Sequence, residues 1–97
     1  MYARYFRFRS IPDQRQAFES LADDAHGIFK AQKGFVSVTF VISQDQTEYG
    51  SFSLWTSRDD AEASGEAVRQ ATMSRLEEIA TAPPEVAIME VYEPAAG

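Results

Sequence analysis

Gly34–Ser57 reads GFVSVTFVISQDQTEYGSFSLWTS, and the fold turns on how that stretch is parsed. Two runs rich in β-branched and aromatic residues, Phe35–Ser43 and Thr47–Thr56, flank the polar segment Gln44-Asp45-Gln46. Such runs read as strands, and a connection this short makes them antiparallel neighbours. Alternation puts Val36, Val38, Phe40 and Ile42 on one side of the first strand, with Phe35, Ser37, Thr39 and Val41 on the other. In the second, Gly50, Phe52 and Leu54 oppose Tyr49, Ser51, Ser53 and Trp55. Large apolar residues therefore point both ways from this hairpin.

Gly34 suits the left-handed turn that closes a preceding helix. That helix spans about Asp13 to Gln32, with Phe18, Leu21, Ala22, Ala25, Ile28 and Phe29 on one stripe. Asp13 with Gln16 resembles a capping box, and Pro12 fits a first turn. Before it, Tyr2–Arg9 alternates as a strand, with Tyr2, Arg4, Phe6 and Phe8 facing one way. After the hairpin, Ser57-Arg58-Asp59-Asp60 caps a second helical region. Ser64-Gly65 predicts a bend or break there, followed by a longer helix from about Glu66 to Thr81. The inward stripe of that helix is Val68, Thr72, Met73, Leu76 and Ile79. Pro83-Pro84 ends it, Glu85–Glu93 forms a fourth strand, and Pro94–Gly97 is a fraying tail.

The order β-α-β-β-α-β is the ferredoxin-like, α+β arrangement: a four-stranded antiparallel sheet with both helices on one face. Two helices cover one face only, so the apolar residues on the other predict a second copy, packed sheet to sheet as a homodimer. A half-wetted monomer is the form taken by RNA-binding domains of this topology, which need a basic, ring-bearing platform. The chain has 97 residues and a net charge of −6, which points away from nucleic acid. Its length suits one domain, residues 1–97 with 1–93 structured. No run is long enough to span a membrane and no signal-peptide pattern is present, so a cytoplasmic location is expected. Without cysteine and with one histidine, thiolate and zinc chemistry lack their usual ligands, and no metal or other cofactor is expected.

The Lys33-Gly34-Phe35 junction, the Trp55-Thr56-Ser57 strand end before an acidic helix start, and the element order resemble the antibiotic-biosynthesis-monooxygenase-like domain of the dimeric α/β-barrel superfamily. The likeness spans about residues 1 to 93. It implies a homodimeric barrel with a pocket in each subunit between the sheet and its own helices. It also implies oxygenation of aromatic, polyketide-like or quinol substrates without metal or flavin, the deprotonated substrate itself reducing oxygen. The alternative is a non-catalytic barrel that holds a small ligand or acts as an interaction module; an isomerase or cyclase on the same fold is a third class. Haem-degrading relatives use a strand-one asparagine, a strand-three tryptophan and a histidine on the second helical segment. Trp55 matches, but Phe6 stands at the asparagine position and Arg58–Thr81 holds no histidine.

Candidate catalytic residues are His26, Trp55 and Tyr49; candidate ligand contacts are Arg4, Phe6, Phe52 and Trp55. Trp55 either walls an aromatic pocket or fills the core. Tyr49 offers a phenol hydrogen bond to a developing oxyanion, or serves as a cross-strand aromatic. His26 is the one side chain whose ordinary pKa suits general-base work near neutrality, and it sits at the edge of the apolar stripe beside Gly27, where a solvated role also fits. Arg4, set between Tyr2 and Phe6, either anchors an acidic ligand or snorkels to the edge. The adjacent carboxylate pairs Asp23-Asp24, Asp59-Asp60 and Glu77-Glu78 point apart on helices and read as solvated faces.

Overall fold

A computed structural model describes residues 1–95. Its elements run β1 (Tyr2–Arg9), α1 (Arg15–Lys30), β2 (Phe35–Ile42), β3 (Glu48–Trp55), α2 (Arg58–Ile79) and β4 (Glu85–Glu90). The strands form one antiparallel sheet in the order β2-β3-β1-β4, so the outermost pair are the two strands that each follow a helix. This is the ferredoxin-like arrangement.

Register decides which side chains meet the helices. Phe6 stands between Ser51 of β3 and Val86 of β4, and Arg4 between Ser53 and Ile88. On that face two clusters form the core. Phe8, Phe18, Leu21, Tyr49, Leu76 and Ile79 pack at one end. Ala25, Phe29, Trp55 and Ala61 pack at the other. The stripe expected of α1 is the one buried, with Phe18, Leu21, Ala25 and Phe29 inward. Ser57 caps α2 as its spacing predicts: its hydroxyl accepts from the Asp60 N–H at 3.1 Å.

The opposite face of the sheet is divided along its length. Arg7 reaches Glu85 at 2.9 Å and Glu48 at 3.3 Å, a small ion-pair group at one end. Beyond it lies apolar surface: Phe52 is 45% exposed and stacks on Tyr5 with ring centroids 4.4 Å apart, flanked by exposed Val41 and Met89. No helix covers these residues.

Several local expectations are corrected. Asp13 adopts φ 63°, a left-handed conformation, so it turns the chain instead of capping; α1 starts at Arg15, and its N-cap, Gln14, makes no side-chain cap bond. Gly34 does take a left-handed φ of 79°, but three residues beyond the C-cap Ala31. Its carbonyl accepts from Thr56 N–H at 2.9 Å, and a Cβ there would collide with the Asp60 carboxylate, so the turn is pinned to the start of α2. A bulge between Phe35 and Ser37 leaves Phe35 opposite Trp55, ring centroids 5.6 Å apart, and puts exposed Val36 out of alternation. The Ser64-Gly65 break is absent. The α2 helix is continuous, and the Ser64 hydroxyl returns to the Ala61 carbonyl at 2.7 Å. Gly65 is instead a place of close approach, as described below. The fourth strand stops at Glu90, leaving Tyr92 exposed beyond it. Of the expected tail, Pro94 and Ala95 are exposed, and Ala96 and Gly97 lie outside the described residues.

Candidate functional site

Between the two core clusters the sheet and helices do not meet completely, leaving a half-open cavity of about 380 Å³. This lies within the roughly 300–1,000 Å³ of small-molecule sites. The reason is in the register: opposite Phe6 the third strand carries only Ser51, and α2 presents Gly65 and Thr72 where larger residues would close the gap. The wall is chiefly apolar and aromatic, with Phe6, Phe8, Phe18, Phe29 and Phe40 around it and Val68, Met73 and Leu76 contributed by α2. The Thr72 hydroxyl donates to the Val68 carbonyl at 2.8 Å and so has its own partner.

One charge is set deep in this wall. Arg4 is only 8% exposed. Among the described residues it has no carboxylate within ion-pairing distance, whereas Arg7, Arg9, Arg15, Arg58, Arg69 and Arg75 each do. Burial pulls the Arg4 guanidinium below the usual arginine value. Arginine starts so high that it stays charged all the same. Its nitrogens keep contact with the half-open cavity, and losing part of their hydration without a carboxylate in exchange still costs free energy. Arg4 offsets part of this by lying 5.6 Å from the Phe6 ring centroid, a cation–π contact. At the mouth, Glu62 and Arg69 face the cavity, but each is paired along its own helix, Glu62 with Arg58 at 3.3 Å and Arg69 with Glu66 at 3.8 Å.

Arg4 and Phe6, expected from the sequence to meet a ligand, are thus both in the cavity wall. The other candidates lie elsewhere. Trp55 is fully buried one layer back, edge-on to Phe29 at 5.7 Å and to Phe35 at 5.6 Å, and its indole N–H donates to Ser53 Oγ at 2.9 Å. With that donor satisfied inside the core, no polar atom of Trp55 is left to offer a ligand. Tyr49 is 1% exposed and stacks on Phe18 at 4.5 Å; its O–H donates to the Gln46 carbonyl at 2.8 Å, away from the cavity. Burial pushes its phenol up. His26 sits on the exposed side of α1, one residue past buried Ala25, because the helix turns about 100° per residue. Phe52 is on the uncovered face of the sheet.

Ser51, Gly65 and Thr72 are wall residues that sequence reasoning did not single out for function. Ser51 was recoverable, since alternation sets it on the Trp55 side among large residues. Gly65 is marked in the sequence only by the helix break that Ser64-Gly65 predicts.

The family described as Antibiotic biosynthesis monooxygenase matches residues 1–72. No match was found among curated protein sequences. Among solved structures, Rv0793 from Mycobacterium tuberculosis is 25% identical, with 98% of each chain covered and a TM-score of 0.80. SnoaB, a cofactor-independent oxygenase from Streptomyces nogalater, is 20% identical over 99% of this chain and 97% of its own, with a TM-score of 0.77. A monooxygenase from the gene ActVA-Orf6 of Streptomyces coelicolor, in complex with the ligand nanaomycin D, is 19% identical over 99% and 91%, with a TM-score of 0.76.

Proposed function

This chain belongs to the antibiotic biosynthesis monooxygenase family, and from that premise we propose that it is a cofactor-independent monooxygenase acting on a compact aromatic, polyketide-like or quinol substrate. The observation that carries the reading is the cavity itself: about 380 Å³, walled by five phenylalanines, and seated between the sheet and the chain's own helices. Flat ring systems stack well on such walls. A relative of the same fold was solved with nanaomycin D as its ligand.

The chemistry asks little of the protein. A substrate with an acidic C–H or O–H loses a proton, and the resulting anion gives electrons to dioxygen. At an activated methylene carbon two hydrogens leave, one oxygen atom becomes the carbonyl, and the other departs in water. The cavity contributes orientation and partial exclusion of solvent. Among the described residues the wall has no histidine, and its one carboxylate, Glu62, is exposed and already paired with Arg58. Deprotonation in this scheme is therefore made easier by stabilising the anion, not by a strong base.

The working form in this reading is a homodimer through the uncovered sheet face. Tyr5, Phe52, Val41 and Met89 supply the apolar patch. Burying four such side chains against a twin contributes roughly 6–12 kcal/mol before association costs.

Oxygen uptake with anthrone and hydroquinone substrates tests the activity. With ¹⁸O₂, one labelled atom is expected in the product. No uptake above the uncatalysed rate across such a panel refutes the oxygenase reading and favours a ligand-holding barrel.

A further inference from the structure

We propose that Arg4 makes this cavity a receptor for the anionic form of its ligand: a compact aromatic phenolate, enolate or carboxylate binds with its negative oxygen on the Arg4 guanidinium and its rings against the phenylalanine wall. The inference concerns the same cavity as the oxygenase reading, but it is a statement about binding and stands or falls on a separate measurement.

Three observations carry it. The first is the pairing pattern. The six other arginines are all within ion-pair reach of a carboxylate, four of them on exposed helix surface where such pairs are weak. The buried one, where a partner would matter most, has none among the described residues. A guanidinium set in a chiefly apolar cavity wall is complementary to an anion brought in from outside.

The second is how the guanidinium is held. A Cβ built on Gly65 would stand 2.7 Å from Arg4 Nε and 2.9 Å from Nη2, closer than van der Waals contact permits. The guanidinium therefore rests in space that only glycine leaves open on α2, with Phe6 on another side. Neither neighbour accepts its hydrogen bonds, so its N–H groups are left available to a ligand. This also explains why α2 tolerates Gly65 in mid-helix, where glycine is unfavourable relative to alanine.

The third is the rest of the wall. The charged groups at the mouth, Glu62 and Arg69, are each engaged along α2, so no other cavity charge competes for the ligand or neutralises Arg4. The net charge of −6 repels anions at long range, but that field is screened within about 8–10 Å at ordinary salt. Selection inside the cavity is thus local.

The experiment uses 4-nitrophenol, whose phenolate absorbs in the visible, titrated with and without excess purified protein. Bound to the unmutated protein, its ionisation should move toward acid by about one to three pH units, as for an acid placed beside arginine. Arg4→Met should bind the neutral phenol and abolish the shift; Arg4→Lys should keep part of it. Gly65→Ala should leave the melting temperature unchanged or raised, because only the flexible end of Arg4 must move, while removing most of the shift. That pairing separates positioning of Arg4 from general damage, and it stands in for Arg4→Met should that variant not fold. The proposal is overturned if the unmutated protein gives no shift or no binding at millimolar probe, if Arg4→Met retains the shift, or if Gly65→Ala retains it in full. A protein that shifts nitrophenol yet consumes no oxygen would leave this inference intact while refuting the oxygenase reading.

Discussion

Replacing Trp55 with phenylalanine separates a core role from a ligand-stacking role. Trp55 is wholly buried, meets Phe29 and Phe35 edge-on, and gives its N–H to Ser53. Phenylalanine removes the donor, worth about 1 kcal/mol. It also removes the second ring's atoms from a fully packed place, about 1–2 kcal/mol at roughly 0.8 kcal/mol per methylene-sized group. The expected loss is about 2–3 kcal/mol. For a domain of this size each kcal/mol moves the midpoint by about 4–8 °C, so the melting temperature should fall by roughly 10–20 °C. Circular dichroism melts at one fixed protein concentration provide the assay, since a dimer's midpoint depends on concentration. Nitrophenolate affinity, measured well below the variant's midpoint, should change less than twofold because Trp55 does not line the cavity. An unchanged melting temperature with tenfold weaker probe binding would refute this placement of Trp55 and return it to the pocket wall.

Two further outcomes are expected. Phe52→Glu should leave the subunit fold intact, because Phe52 lies on the uncovered face, but it would put an unpaired charge from each copy into the proposed sheet-to-sheet interface. Sedimentation should show the dimer's dissociation constant raised at least about 100-fold; a monomeric unmutated protein, or an unaltered dimer in the variant, would refute the sheet-to-sheet assembly. Tyr49 predicts an alkaline weakness. Burial raises its phenol above the unfolded value of about 10, and its O–H donates to the Gln46 carbonyl, which a phenolate could not do. Its contribution is complete below about pH 10 and is lost as pH rises through the folded-state value. Melting temperatures from pH 7 to 11 should therefore fall more steeply for the unmutated protein than for Tyr49→Phe, and parallel curves would sink this account.

Much of the architecture was legible in the linear chain because it depends on periods and punctuation. The alternation of Tyr2–Arg9 and of Glu48–Trp55, the α1 stripe at Phe18, Leu21, Ala25 and Phe29, and the Ser57 cap are each written within a few residues. So was the surplus of apolar residues on the far side of the sheet, now visible as Phe52 and Met89 in solvent. The site was legible only in part: Arg4 and Phe6 were marked by an arginine set among aromatics that share one face, whereas the roles of Ser51 and Gly65 depend on what lies opposite them.

The amino-acid order alone determined the element sequence, the faces of three strands and the apolar character of both sides of the sheet, because side-chain periodicity is a local property. Only the tertiary structure decided that Val36 bulges out, that α2 runs unbroken through Gly65, that Trp55 lies behind the cavity wall, and that Arg4 faces the cavity without a carboxylate. Each of those depends on a neighbour distant in the chain: Phe35 on Trp55, Gly65 on Arg4, Trp55 on Phe29. A residue's own position in a repeat carries no information about which partner the folded sheet will bring against it.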